Sequence, residues 1–177
     1  MEGKRRIYRS PLRYPGGKGC IFKFMTLFLE ENGLVGTDYA EPYAGGAGLA
    51  LRLMMDEYVG DIYINDLDPS IYAFWDAVLN MADYLCEWIE QVPITVEQWN
   101  IYRRIQANYK TADILELAKS TFFLNRTNVS GVISGGIIGG INQRGKYKID
   151  ARFNKIELIN RIRDIQRFSH RIHLSNL

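Results

Sequence analysis

The feature that most constrains this chain is one ordered run across residues 37–68: strand, glycine loop, helix, strand, acid. Thr37 to Pro42 reads as a short strand that runs into Tyr43-Ala44-Gly45-Gly46-Ala47-Gly48. Leu49 to Tyr58 then reads as a helix and Asp61 to Asn65 as a second strand, ending in Asp66-Leu67-Asp68-Pro69. Strands joined through a helix pair in parallel with a right-handed crossover, so the fold class is α/β. Glycine lets the backbone turn sharply and approach a ligand closely, and the helix start offers free N–H groups. Asp66 stands 21 residues beyond Gly45, at the strand tip where an acid can accept from ribose hydroxyls. The run predicts a nucleoside-cofactor site, against the plainer reading of a tight turn. Leu51 stands three residues after Gly48, where an NAD fingerprint would have its third spaced glycine. S-adenosylmethionine has no pyrophosphate and does not need that spacing.

On either side the pattern is mostly helical. Cys20 to Asn32 reads as a helix with Ile21, Phe24, Met25, Phe28 and Leu29 inward, stopped by Asn32-Gly33. Pro69 suits the first position of the next helix. Residues 70–126 read as helices with a break near Pro93, and Thr95 with Gln98 reads as a cap. Six of the fifteen residues from Gly131 to Gly145 are glycine, which predicts a long flexible loop or hairpin. Asn154 to Phe168 reads as a basic amphipathic helix with Ile156, Ile159, Ile162 and Ile165 inward. Residues 171–177 alternate like a strand.

With 177 residues and 47% hydrophobic content, one domain with a sizeable core is expected. No apolar run approaches membrane-spanning length. No apolar stretch follows the basic start, so a secretory signal is not expected. Two cysteines, Cys20 and Cys86, and two histidines, His170 and His173, build neither a disulfide framework nor a metal site, and the cytoplasm is the expected compartment. The net charge of +2 conceals an asymmetry. Residues 1–18 carry six Lys/Arg and one acid (+5), residues 141–177 nine and three (+6), and the middle seven and sixteen (−9). Basic ends around an acidic middle point to a polyanion partner; solvated surface charge is the plainer reading.

Two further segments bear on chemistry. Gly16-Gly17-Lys18-Gly19 is not a phosphate-binding P-loop, because Leu12 stands where that motif needs glycine and Gly19 where it needs Ser or Thr. Phe122-Phe123-Leu124-Asn125-Arg126-Thr127-Asn128 precedes the glycine-rich loop. Its phenylalanines read as core, and Arg126 and Asn128 as contacts to phosphates and base edges.

Taken together, Arg-Tyr-Pro-Gly-Gly-Lys at 13–18, Glu-Pro-Tyr-Ala-Gly-Gly-Ala-Gly at 41–48, Asn-Asp-Leu-Asp-Pro at 65–69 and Phe-Phe-Leu-Asn-Arg-Thr at 122–127 resemble the Dam-type DNA adenine-N6 methyltransferases. The resemblance covers nearly the whole chain. It implies a Rossmann-like methyltransferase core with an incomplete sheet and a mostly helical target-recognition lobe. The expected division is 1–69 for the first part of the cofactor core, 70–168 for recognition and 169–177 for a return strand. It further implies that Tyr14, Pro15, Gly17, Lys18, Glu41, Tyr43, Gly45, Gly48 and Asp66 hold S-adenosylmethionine. Arg13, Arg126 and Asn128 would face double-stranded DNA, joined by the loop cations Arg144, Lys146 and Lys148.

One departure bears on activity. The family places a catalytic Asp-Pro-Pro-Tyr after the recognition region, whereas the five prolines here are never adjacent. The exocyclic amine of adenine is a poor nucleophile, because its lone pair is delocalised into the ring. The motif orients that amine and stacks on the flipped base. No catalytic residue is therefore assigned, and neither Cys20 nor Cys86 follows a proline as a cytosine-C5 mechanism would need. The expectation is a shortened enzyme or one half of a split enzyme, inactive alone and completed by a second chain. The alternative is a non-catalytic remnant that binds DNA or cofactor. Uncovered sheet edge and face predict self-association.

Overall fold

The computed structural model describes residues 10–177. The N-terminal basic residues Lys4, Arg5, Arg6 and Arg9 lie outside the described residues.

Among the described residues three parallel strands form the centre: β1 (Tyr39–Glu41), β2 (Ile62–Asn65) and β3 (Ile172–Ser175), in the order β1-β2-β3. Tyr39 pairs with Ile62 and Ile62 with Ile172, so the return strand joins the sheet beside β2 as expected. Alternation sorts the side chains. Glu41, Ile62, Ile64 and Ile172 point into the core, while Ala40, Tyr63 and His173 share an exposed face. The Tyr63 and His173 rings stack there at 4.5 Å.

Among the described residues seven α-helices accompany this sheet. They are α1 (Phe22–Glu31), α2 (Gly48–Met55), α3 (Pro69–Asn80), α4 (Ala82–Gln91), α5 (Val96–Ala107), α6 (Ile114–Thr127) and α7 (Lys155–Gln166). Their starts follow local chemistry. Asp68 caps α3 by accepting from Ser70 N–H, with Pro69 inside the first turn. Thr95 caps α5 by accepting from Gln98 N–H. No helix among the described residues is long and apolar enough to cross a membrane.

The helical segment 70–168 shares its core with the sheet. Helix α3 lies against β3 on one side and α6 on the other. Phe74 of α3 stacks on Phe122 of α6 at 5.4 Å, and Phe153 closes on both Phe122 and Phe123. One hydrophobic core runs through the sheet and the helical segment.

Two amphipathic faces differ from expectation. In α7 the buried residues are Leu158, Ile162 and Ile165, while Ile156 is 76% exposed. Isoleucines every three residues turn back by about 60° per step on a helix of about 3.6 residues per turn. Ile156 therefore ends up opposite Ile165. In α1 only Leu29 of the five expected positions is buried and Met25 is half-buried; Ile21, Phe24 and Phe28 are exposed. The periodicity is real, but among the described residues little covers it.

The glycine-rich loop is neither shapeless nor a regular hairpin. A single antiparallel bridge joins Asn128 to Ile137, and beyond it the chain folds around Gln143. The Gln143 amide donates to Ile138 O and Gly140 O and accepts from Ile149 N–H.

Candidate cofactor crevice and basic groove

The crevice is built at the carboxyl ends of β1 and β2. Gly45 lies at its centre with φ +49°, a conformation that favours glycine. Its N–H donates to Asp66 Oδ2 at 2.7 Å, and its carbonyl accepts from the Trp75 indole N–H at 2.8 Å. A Cβ on Gly45 would lie 2.8 Å from the Tyr14 ring. The Arg-Tyr-Pro-Gly-Gly-Lys segment and the glycine loop, some thirty residues apart in sequence, are thus in direct contact. Ala47 follows at φ +46° without glycine's freedom, a strained backbone of the kind that collects at ligand sites. Gly48 is the first residue of α2.

Asp66 is buried, with Oδ1 accepting from Asp68 N–H at 3.1 Å. Each carboxylate oxygen thereby holds one backbone donor and keeps acceptor capacity. The acid pins the glycine loop and can still receive a hydroxyl. Glu41, 2% exposed, accepts from Ala50 N–H at 3.2 Å and lies 3.6 Å from Lys18 Nζ. Burial raises the Glu41 carboxyl above its usual range, and the Lys18 ammonium works against that rise. The neighbouring Tyr39 hydroxyl is pushed up to about 12, first by burial and then by Glu41. Lys18 also donates to Tyr43 O at 2.6 Å. Its charge faces the ends of both motifs, and the Tyr43 ring is exposed.

Beside the crevice opens a cavity of about 700 Å³. Tyr14, Pro15, Asp68, Arg103, Gln106 and Val132 are among the residues that line it. Its size suits a small-molecule ligand. Gly17 closes the turn above it, donating to Tyr14 O at 3.1 Å.

The second region is a groove of about 330 Å³ lined by Arg13, Ser130, Lys146, Tyr147 and Arg152 among others. Tyr147 is 59% exposed, with Lys146 Nζ and the Arg152 guanidinium 5.8 and 5.9 Å from its ring centroid. Arg144 is exposed on the same loop. Lys148 is exposed too, but its Nζ braces the loop by donating to Gln143 O at 2.7 Å. Burial lowers the Arg13 pKa, and nearby Arg152 lowers it further.

Arg126 and Asn128, expected to face DNA, sit inside the molecule. Asn128 is 0% exposed: its Oδ1 accepts from Trp99 Nε1 at 2.7 Å, and its Nδ2 donates to Val132 O and Ile133 O. Arg126 is buried as well, donating to Arg152 O at 2.7 Å and Pro11 O at 3.4 Å. Burial lowers its pKa to about 10, with Arg161 and Arg13 adding to the shift. Both residues organise the backbone behind the groove instead of lining it. Phe122 and Phe123 are core, as expected.

Sequence reasoning passed over Tyr147 and Arg152, although the run Arg-Gly-Lys-Tyr-Lys interleaves cations with an aromatic ring in the usual manner of nucleic-acid contacts. It also passed over Trp75 and Asn125, whose partners lie 30 and 112 residues away and leave no local signal.

A parallel sheet with a pinned glycine loop and a strand-tip acid is the arrangement of a Rossmann-like α/β core. The family model of the D12 class N6 adenine-specific DNA methyltransferases matches residues 14–177. The chain belongs to that family, whose members methylate adenine N6 in DNA with S-adenosylmethionine. The comparison with curated proteins finds no match.

Proposed function

We propose that this chain binds S-adenosylmethionine in the crevice and double-stranded DNA along the basic groove, as the cofactor- and DNA-holding part of an adenine-N6 methyltransferase. The observation that carries the reading is Gly45. It is fixed by Asp66 and Trp75, overlaid by Tyr14, and placed beside a ligand-sized cavity. The cradle is one that a side chain would fill, and the donor set suits a nucleoside with an ammonium and a carboxylate. Asp66, with Asp68 at the cavity wall, would take the ribose hydroxyls. Glu41 and Lys18 would meet the charged methionine end. Tyr14 and Pro15 would enclose the cofactor, and Gly17, Tyr43 and Gly48 would shape the turns around it. When bound, the cofactor supplies the methyl group.

Arg13, Lys146 and Arg152, with Arg144 and the Tyr147 ring, supply the DNA contacts in this reading. Lys148, Arg126 and Asn128 support them from behind. The chain carries no Asp-Pro-Pro-Tyr, so methyl transfer requires further polypeptide that supplies the motif. The edge strand β1, paired on one side only among the described residues, and the exposed α1 side chains Phe24, Leu27 and Phe28 offer a surface for it, or for a second copy of the chain.

Calorimetry of the purified chain with S-adenosylhomocysteine tests the core of the proposal. Saturable one-to-one binding is expected, and none would remove the cofactor reading. In a labelled-methyl assay with duplex DNA, the 177-residue chain alone should transfer no methyl group. Clear adenine methylation would overturn the requirement for added polypeptide.

A further inference from the structure

We infer that Asn125 is a positioning residue through which the DNA-facing loop and the cofactor-facing segment 13–18 set one another's position. The inference rests on the proposed function and adds to it a coupling between the two sites.

Asn125 lies on α6 and is 1% exposed. Its Oδ1 accepts from Arg13 N–H at 2.8 Å, and its Nδ2 donates to Arg13 O at 2.8 Å. The amide thus clamps one residue as a neighbouring strand would. The other Nδ2 hydrogen goes to Gly131 O at 2.8 Å. Holding Arg13 alone needs only the first two bonds. The third bond ties the same amide to the start of the loop that carries Arg144, Lys146 and Tyr147.

The two backbones also touch directly. Gly131 has φ +78°, and a Cβ there would lie 2.4 Å from Arg13 O. Nothing larger than hydrogen fits between loop and segment. On the far side, the residue after Arg13 is Tyr14, whose ring covers Gly45 and whose Cβ meets Gly46. One peptide unit therefore separates the clamped residue from the ring over the glycine loop. A displacement of Gly131 on DNA binding shifts the Asn125 amide, then Arg13, then Tyr14. The α6 backbone does not absorb it, because α6 is packed against α3 and α5. Coupling between two binding sites is reciprocal. Cofactor seated under Tyr14 must favour the loop position that DNA favours, by the same factor.

The test measures that factor. S-adenosylhomocysteine binding to the full chain is followed by calorimetry with and without a short duplex. In the unaltered protein the duplex should tighten cofactor binding by about five- to tenfold. In Asn125→Ala, whose side chain also lines the cavity, the cofactor should bind alone with reduced affinity and the duplex should bind alone, but the factor should fall to about one. A variant that weakens both ligands and keeps the full factor would make Asn125 merely structural and overturn the inference. So would an unaltered protein that binds both ligands independently, with the proposed function left standing. Failure of the unaltered protein to bind S-adenosylhomocysteine would remove both. If Asn125→Ala does not fold, hydrogen exchange of the unaltered chain decides. S-adenosylhomocysteine should slow exchange across residues 138–147 as well as 43–48. Protection confined to 43–48 would overturn the coupling.

Discussion

The crevice and the basic groove are assembled from motif residues in opposite ways. Around Gly45 the motif residues themselves border the crevice: the Tyr14 ring lies over Gly45 and lines the adjoining cavity, and Asp66 holds the Gly45 N–H. Beside the groove, the motif residues Arg126 and Asn128 turn inward, and the exposed cations come from the glycine-rich loop. In the proposed reading, the difference follows from what each ligand demands. A nucleoside is enclosed, so the residues that hold it must be buried and aimed. A phosphate backbone lies outside, so its contacts are long exposed side chains on a loop that must itself be held in place. Asn128 and Arg126 hold it.

The sharpest test of this contrast is Asn128→Ala. It strips partners from the Trp99 indole and from the Val132 and Ile133 carbonyls. Unsatisfied buried groups cost about 1–3 kcal/mol each. A loss of about 3 kcal/mol is expected, a drop of roughly 6–12 °C in Tm for a domain of this size. DNA affinity of the folded protein should fall only as far as the loop loses its position, and the slope of log K against log salt should stay the same because no phosphate contact is removed. A variant of unchanged Tm that loses DNA binding would put Asn128 back on the surface.

Asp66→Ala probes the other side. Hydrogen bonds to a charged group contribute about 1.5–3 kcal/mol, so S-adenosylhomocysteine affinity should fall roughly ten- to a hundredfold by calorimetry. Unchanged affinity would leave Asp66 as a brace of Gly45 and nothing more.

Lys146→Ala should leave Tm nearly unchanged and weaken duplex binding a few-fold. The slope of log K against log salt should become shallower by about 0.9 for the lost phosphate contact. DNA binding insensitive to salt would break the electrostatic half of the comparison.

The smallest effect concerns pH. Burial raises the Glu41 carboxyl in the folded state, so its contribution favours folding at low pH and is lost as pH rises through the folded pKa. Lys18→Met removes the opposing charge and raises that pKa further. Thermal melts from pH 4 to 7 should therefore show a larger relative loss of stability toward neutral pH in the variant. Parallel profiles for variant and unaltered protein would show that Lys18 does not set the charge on Glu41.

What the sequence by itself determined is local: β1, β2 and their parallel pairing through α2, proline at the start of α3, the Thr95 cap, and glycine at 45. Each follows from propensity, periodicity or a single backbone angle within a few neighbouring residues. Only the tertiary structure decided which faces are covered and which polar residues point inward. Phe24 and Ile156 look like core by spacing but are exposed, because burial depends on what lies opposite. Arg126 looks like a DNA contact but bonds to Arg152 O and Pro11 O, 26 and 115 residues away. An arginine or asparagine has the same chemistry toward a phosphate, a base edge or a backbone carbonyl. Which of these it meets is set by chain segments too distant in sequence to leave a trace beside it.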